Sequence, residues 1–182
     1  GLYVDGSQYT TTSGNVISAH PDAQVWISGS TTSRAEINGD LIGTDVDGQG
    51  RVGPNPSAVG VRLDQGASDN DVRNTVIAGQ GTGILVADGA PGNRLQANRV
   101  GITAGGAVLG NSGDGILVHA SNTFVGYQDG NLVRGSGGAG IRVTATAVGA
   151  PDPQNVTLFG NQVDGNVGLG IDLGPDGVNP ND

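Results

Sequence analysis

The chain has 182 residues with a formal net charge of −9, and it contains 35 Gly, eight Arg, no Lys and no Cys. Without Cys, disulfides and thiolate metal sites are excluded, and the acidic charge argues against nucleic acid and anionic membrane surfaces as partners. No apolar run approaches the roughly 20 residues of a membrane span, and the glycines lack the three-residue period of collagen.

The predicted elements are short strands that recur along the chain. One type follows the pattern Gly-[Ile/Val]-x-[Val/Leu], which begins at Gly60, Gly83, Gly115, Gly140 and Gly170 and has a glycine-free copy at Val25-Trp26-Ile27. The intervals between these glycines are 23, 32, 25 and 30 residues, so short and long repeats alternate. Recurrence at this length is typical of a solenoid in which each repeat forms one coil.

Two further strands are predicted between successive copies of this motif. One strand is centred on Ile37, Val72, Leu95, Phe124-Val125 and Val156–Leu158. The other begins with a polar residue, namely Asn15, Asp40, Asn74, Asn98, Asn131 and Asn161. Three strands per repeat predict an all-β, right-handed, three-sided parallel β-helix of about six coils with Asn and Gly in the turns.

Stacking of the coils explains two features of this pattern. The polar residues at the bends are expected to form a ladder of stacked side chains. The apolar residues are expected to form inward columns, of which one is Ile27, Val61, Ile84, Ile116, Ile141 and Ile171. An antiparallel β-sandwich is the alternative fold, but it does not predict a motif recurring at coil length.

Four segments carry a family resemblance. They are Gly14–Ser18, Leu41–Asp45, Gly110–Ile116 and Gly170–Gly174. With these segments the chain resembles bacterial right-handed parallel β-helix repeat proteins of the pectate-lyase-like superfamily. The resemblance implies a secreted or cell-surface bacterial protein, with polysaccharide lyases and epimerases among its catalytic relatives. Because the chain begins without Met, we expect residues 1–182 to be a single β-helix domain, cut or processed from a larger secreted protein.

One outer face holds the candidate binding residues. The x position of the motif and the position two residues later point outward, which gives the columns Trp26, Arg62, Leu85, Leu117, Arg142, Asp172 and Ser28, Asp64, Ala87, His119, Thr144, Gly174. The candidates are Trp26, Arg62, Asp64, His119, Arg142 and Asp172. A uronate lyase or epimerase would use such groups, but we favour the interpretation that Arg62–Asp64 and Arg142–Asp172 are ion pairs on a solvated sheet.

The loop Asp45-Val46-Asp47-Gly48 is the candidate metal site, with Asp45 and Asp47 as ligands for Ca²⁺. It lacks the later ligands of an EF-hand, so a simple Asp-Gly turn is the favoured interpretation. The fold requires no cofactor.

The sequence leaves three functions open. The first is a structural or adhesive module whose unpaired ends stack on a second copy or on neighbouring coils of a longer chain. The second is a polysaccharide lyase or epimerase. The third is a carbohydrate-binding module that uses Trp26 or Tyr127 as a platform for sugar rings.

Overall fold

The computed structural model of the protein describes residues 1–53, 58–147 and 149–174, which form nineteen short strands in three parallel sheets. The first sheet contains β1 (Leu2–Asp5), β4 (Ala23–Ser28), β7 (Val59–Asp64), β10 (Thr82–Val86), β13 (Ile116–Val118), β16 (Ile141–Val143) and β19 (Ile171–Leu173). The second contains β2 (Thr11–Ser13), β5 (Glu36–Asn38), β8 (Asp71–Arg73), β11 (Arg94–Gln96), β14 (Phe124–Val125) and β17 (Thr157–Leu158). The third contains β3 (Val16–Ile17), β6 (Leu41–Ile42), β9 (Val76–Ile77), β12 (Arg99–Val100), β15 (Leu132–Arg134) and β18 (Gln162–Asp164).

The chain visits the three sheets in turn, and each strand pairs in parallel with its counterpart one coil away. This gives six complete coils followed by one strand of a seventh, and it confirms the three-sided parallel β-helix. The described part of the chain contains no helix that is long and apolar enough to span a membrane.

The core is a stack of aliphatic side chains. Buried Val, Ile, Leu and Ala from all three sheets form one cluster along the axis. None of the six aromatic side chains belongs to it: Tyr3, Tyr9, Tyr127 and Phe159 are exposed, and Trp26 and Phe124 are half-buried. Small branched residues fill the narrow interior, and the aromatic residues are left on the outer surface.

The predicted inward column is wrong in the second coil. Val25, and not Ile27, pairs with Val61, while Ile27 pairs with Leu63. Both Val25 and Ile27 face the core, so alternation alone does not distinguish them. The other members pair as predicted, from Val61 through Ile84, Ile116 and Ile141 to Ile171.

The predicted ladder exists, but its third rung is Thr75 and not Asn74. The backbone N–H and Nδ2 of Asn98 both donate to Asn131 Oδ1 at 3.0 Å, and those of Asn131 donate to Asn161 Oδ1 at 3.0 and 2.9 Å. Thr75 N–H donates to Asn98 Oδ1 at 3.2 Å. Asn74 instead has a φ of 51° and occupies the left-handed position that precedes the ladder, which glycine fills in the first, second and sixth coils.

The motif glycine is required for close contact between coils. A Cβ on Gly115 would lie 2.5 Å from Val133 Cγ1 and 2.6 Å from the carbonyl oxygen of Gly140 in the next coil. The motif glycines have no positive φ, so their role is space and not backbone conformation.

Long coils differ from short ones by insertions at the corners. In the second and fourth coils a small hairpin leaves the third sheet, closed by the antiparallel bridges Thr44–Arg51 and Ile102–Val108. In the sixth coil the longer connection lies between β16 and β17. Insertions at corners lengthen the repeat without changing the register of the sheets.

Candidate functional site

The outer face of the first sheet carries the predicted outward column in the predicted order. Trp26 pairs with Arg62, Arg62 with Leu85, Leu85 with Leu117, Leu117 with Arg142, and Arg142 with Asp172. Tyr3 precedes Trp26 in the same column. Leu85 and Leu117 are half-buried and separate the candidate residues into two clusters.

The first cluster joins Trp26, Arg62 and Asp64. Arg62 Nε lies 2.6 Å from Asp64 Oδ2, and Trp26 Nε1 donates to Asp64 Oδ1 at 2.9 Å. The Arg62 guanidinium carbon is 4.9 Å from the Trp26 ring centroid, and Tyr3 meets that ring edge-on at 5.3 Å. The predicted ion pair is confirmed, but it is not fully solvated, because the Asp64 side chain is only 4% exposed. Both Asp64 oxygens therefore already have partners.

The second cluster is centred on Arg142. Arg142 Nη1 lies 2.7 Å from Asp172 Oδ2, which confirms the second predicted ion pair, and Arg142 Nε donates to Asp114 Oδ2 at 3.0 Å. The hydrogen bond to Asp114 raises the pKa of Arg142 and holds it as a cation. The Asp172 side chain is 3% exposed, so its carboxylate is buried like that of Asp64, whereas the Arg142 side chain is 28% exposed.

Sequence reasoning missed Asp114. It lies directly before the motif glycine Gly115, and its Oδ1 also accepts the backbone N–H of Ala139 at 2.7 Å. The position of an acid next to the motif was the available signal. Only the stacking of the coils shows that this position faces Arg142.

His119 joins neither cluster. Its Nδ1 lies 2.7 Å from the carbonyl oxygen of Thr144, so Nδ1 carries the proton and donates it. His119 makes no ion pair among the described residues. The first cluster thus pairs one cation with one carboxylate, whereas the second sets two carboxylates against one arginine, and the histidine forms no ion pair with either cluster.

The candidate calcium loop forms a hairpin turn. Asp45 Oδ1 accepts the backbone N–H of Gln49 at 2.8 Å, and the Asp45 backbone N–H donates to the Gly50 carbonyl at the same distance. Hydrogen bonds from the backbone of Gln49 and Gly50 lower the pKa of the Asp45 carboxyl. Asp47 is exposed, and the described residues contain no group of three His, Asp or Glu side chains able to hold a metal ion. Calcium binding at Asp45 and Asp47 stays a prediction.

The second sheet carries an aromatic and arginine surface that the sequence indicated only through Tyr127. We call Arg94, Phe124 and Tyr127 the arginine–aromatic surface. Phe124 and Tyr127 meet edge-on at 5.3 Å, and the Arg94 guanidinium carbon is 5.8 Å from the first ring centroid and 6.0 Å from the second. Tyr127 is 48% exposed, so part of its ring is free to meet a ligand.

The family model described as right handed beta helix region matches residues 1–179. The chain belongs to this right-handed β-helix family. Comparisons with curated proteins and with solved structures give no match. Membership in the right-handed β-helix family establishes the architecture, and a fold of this kind does not by itself define a function.

Proposed function

We propose that this right-handed β-helix is a structural or adhesive module of a secreted or cell-surface bacterial protein. The observation that supports it is the pairing of charges on the first sheet. Asp64 is paired with Arg62, and Asp114 and Asp172 are both paired with Arg142, so each of these carboxylates already has a cation as its partner. The aliphatic core and the polar ladder run through all six coils, which suits a stiff spacer.

The proposed module stacks on further coils through its ends. In the described chain β1, β2 and β3 pair on one side only, and so do β17, β18 and β19. Unpaired strand edges are templates for another strand, whether it comes from a second copy or from neighbouring coils of a longer chain. Val16, at the edge of the first coil, is 44% exposed and offers apolar surface to such a partner.

Sedimentation of the 182-residue chain over a concentration series tests this stacking. We expect end-to-end oligomers that Val16→Lys weakens, because a lysine on an edge strand blocks pairing. Val46→Lys is the matched control, since Val46 is 75% exposed but lies in the hairpin of the second coil. A monodisperse monomer at high concentration would contradict self-association.

Carbohydrate binding without catalysis is a second candidate, because all six aromatic side chains lie outside the core. Tyr127, which follows β14, and Trp26 on the first sheet are its proposed platforms for sugar rings. A glycan array tests it, with Tyr127→Ala and Trp26→Ala as variants. We expect binding that one of these variants abolishes, and an array without hits for the unmodified chain would reject the proposal.

A lyase or epimerase activity has less support, since Asp172 is paired with Arg142, and His119 forms no ion pair among the described residues and donates to the Thr144 carbonyl instead. Incubation with uronate polymers in the presence of Ca²⁺ is the direct assay. Formation of an unsaturated or epimerised product would replace the structural proposal.

A further inference from the structure

A carboxyl group on the second sheet has the surroundings of a neutral acid. Asp71 in β8 pairs with Glu36 of β5 on one side and with Arg94 of β11 on the other. Arg73, on the same strand as Asp71, is paired with Glu36. The charged groups facing Asp71 are therefore one anion and two cations. Glu36 and Arg73 neutralise each other, so Arg94 is the cation that remains.

Asp71 and Gln96 together have more buried acceptors than donors. Gln96 Nε2 donates to Asp71 Oδ2 at 2.8 Å. Asp71 Oδ1 and Gln96 Oε1 are both buried, and neither finds a hydrogen-bond partner among the described residues. Buried polar atoms in folded proteins are almost always hydrogen-bonded. A proton on Asp71 Oδ1, donated to Gln96 Oε1, would satisfy both atoms at once.

The contacts of Arg94 also indicate a protonated Asp71. Arg94 is the pairing partner of Asp71 on the adjacent strand, yet no ion pair of Arg94 is found in the described part of the chain. Its guanidinium instead faces the rings of Phe124 and Tyr127. An ionised Asp71 carboxylate on the adjacent strand would compete with those rings for the Arg94 guanidinium, whereas a neutral carboxyl group does not.

We propose that Asp71 holds a proton in the folded chain, in a cyclic acid–amide pair with Gln96, and that loss of this proton draws Arg94 away from Phe124 and Tyr127. The proton leaves to solvent, the Asp71 carboxylate takes the guanidinium as its counter-ion, and the two aromatic rings lose their cation. The pair is thus a pH-sensitive switch under the arginine–aromatic surface. It depends neither on end-to-end stacking nor on carbohydrate binding.

The electrostatics agree with this geometry. Burial raises the pKa of the Asp71 carboxyl, and the Gln96 hydrogen bond and the charges of Arg73 and Arg94 only partly oppose it. A carboxyl whose pKa is higher in the folded chain than in the unfolded chain stabilises the fold while it is protonated. That stabilisation is present at low pH and is lost as the pH rises through the folded-state pKa.

Carboxyl-carbon NMR of the full chain across a pH series tests the proposal directly. We expect the Asp71 signal to titrate above the ordinary range, and the ring signals of Phe124 and Tyr127 to shift with the same midpoint. An Asp71 carboxyl that titrates at or below about 3.9 would overturn the proposal. Ring signals that do not follow Asp71 would overturn the movement of Arg94.

Thermal melting of two variants provides a second test. Asp71→Asn keeps the shape of the neutral acid, so it is expected to melt above the unmodified chain at neutral pH and no higher at low pH. Asp64→Asn is the matched control and is expected to melt lower at neutral pH, because the Asp64 carboxylate is paired with Arg62. A lower melting temperature of Asp71→Asn at neutral pH would count against a protonated Asp71, and the NMR titration of the unmodified chain decides if that variant does not fold.

Discussion

Single glycines in this solenoid meet two different requirements. At Gly115 the requirement is space, because a side chain would collide with Val133 and with the backbone of the next coil. At Gly39 it is conformation, since its φ of 68° lies in the left-handed region. Asn74 and Ala97 take the same left-handed position in the third and fourth coils, with φ of 51° and 53°. Asn tolerates this conformation better than Ala does.

Gly115→Ala tests the space requirement at the residue scale. We expect it to lower the free energy of unfolding by roughly 1–3 kcal/mol, the usual cost of overpacking. Gly170→Ala is the matched control, because an added Cβ there would meet Val163 Cγ1 at 3.8 Å, an ordinary contact. Urea unfolding of both variants measures the difference. Equal stabilities would show that the motif glycine has another role.

The ladder is the element that joins the second and third sheets in every coil. Its rungs are Asn15, Asp40, Thr75, Asn98, Asn131 and Asn161. Each rung after Asn15 accepts the backbone N–H of the rung one coil earlier, a donor that lies between the strands. Asn98 also donates to the Val72 carbonyl at 2.7 Å, which ties the bend to the second sheet.

Asn98→Ala is expected to cost about 2 kcal/mol, because it leaves the buried N–H of Thr75 without a partner and removes the bond from Asn98 to the Val72 carbonyl. Asn98→Thr is expected to cost less, since Thr75 shows that a hydroxyl is accepted as a rung. Chemical denaturation ranks the two variants. A loss as large for threonine as for alanine would contradict this account of the ladder.

The hairpin of the second coil is the element on which a calcium prediction rests. Because Asp45 already accepts backbone N–H groups, we expect calcium and chelator to give the same melting temperature. A bound ion at a hundredfold excess over its Kd would add about 2.7 kcal/mol to stability. A calcium-dependent rise that Asp47→Asn removes would establish the site instead.

Acid is expected to weaken this hairpin. Backbone hydrogen bonds lower the pKa of Asp45, so its contribution is present above the pKa of the unfolded chain and is lost as the pH falls through the folded value. The pH dependence of the stability contributed by Asp45 is therefore opposite in sign to that contributed by Asp71.

At the scale of the whole molecule, stability is distributed along one axis. Each coil contacts only its neighbours, so the free energy is close to a sum over coils and the interfaces between them. Six coils at about 4.8 Å each give a rod of roughly 30 Å. The central strands are buried on their inner side, whereas Ile171 and Leu173 of β19 are exposed.

The rate of amide hydrogen exchange is expected to vary along this axis, from slow in the central coils to fast in the terminal ones. Amides of β9 and β12 should exchange slowest, and those of β1 and β18 fastest, because a terminal coil has a neighbour on one side only. Exchange measured by mass spectrometry at peptide resolution checks the order. Uniform protection along the chain would indicate that the solenoid opens as a single cooperative unit.

The amino-acid sequence by itself determined three strands per coil, the solenoid and the outward column from Trp26 to Asp172. It did so because inward and outward positions alternate along each strand and because the motif glycine recurs where neighbouring coils approach closely, as at Gly115. These are local requirements, repeated in every coil.

The tertiary structure alone decided the register and the pairing of charges. Val25 and Ile27 both satisfy the alternation, and Asn74 and Thr75 are both polar, so only the strand of the next coil selects between them. Arg142 contacts Asp114, which is 28 residues away in the chain, and Asp71 contacts Gln96, which is 25 residues away. Insertions at the corners change that spacing from coil to coil, and contacts between coils therefore become visible only when the strands are stacked.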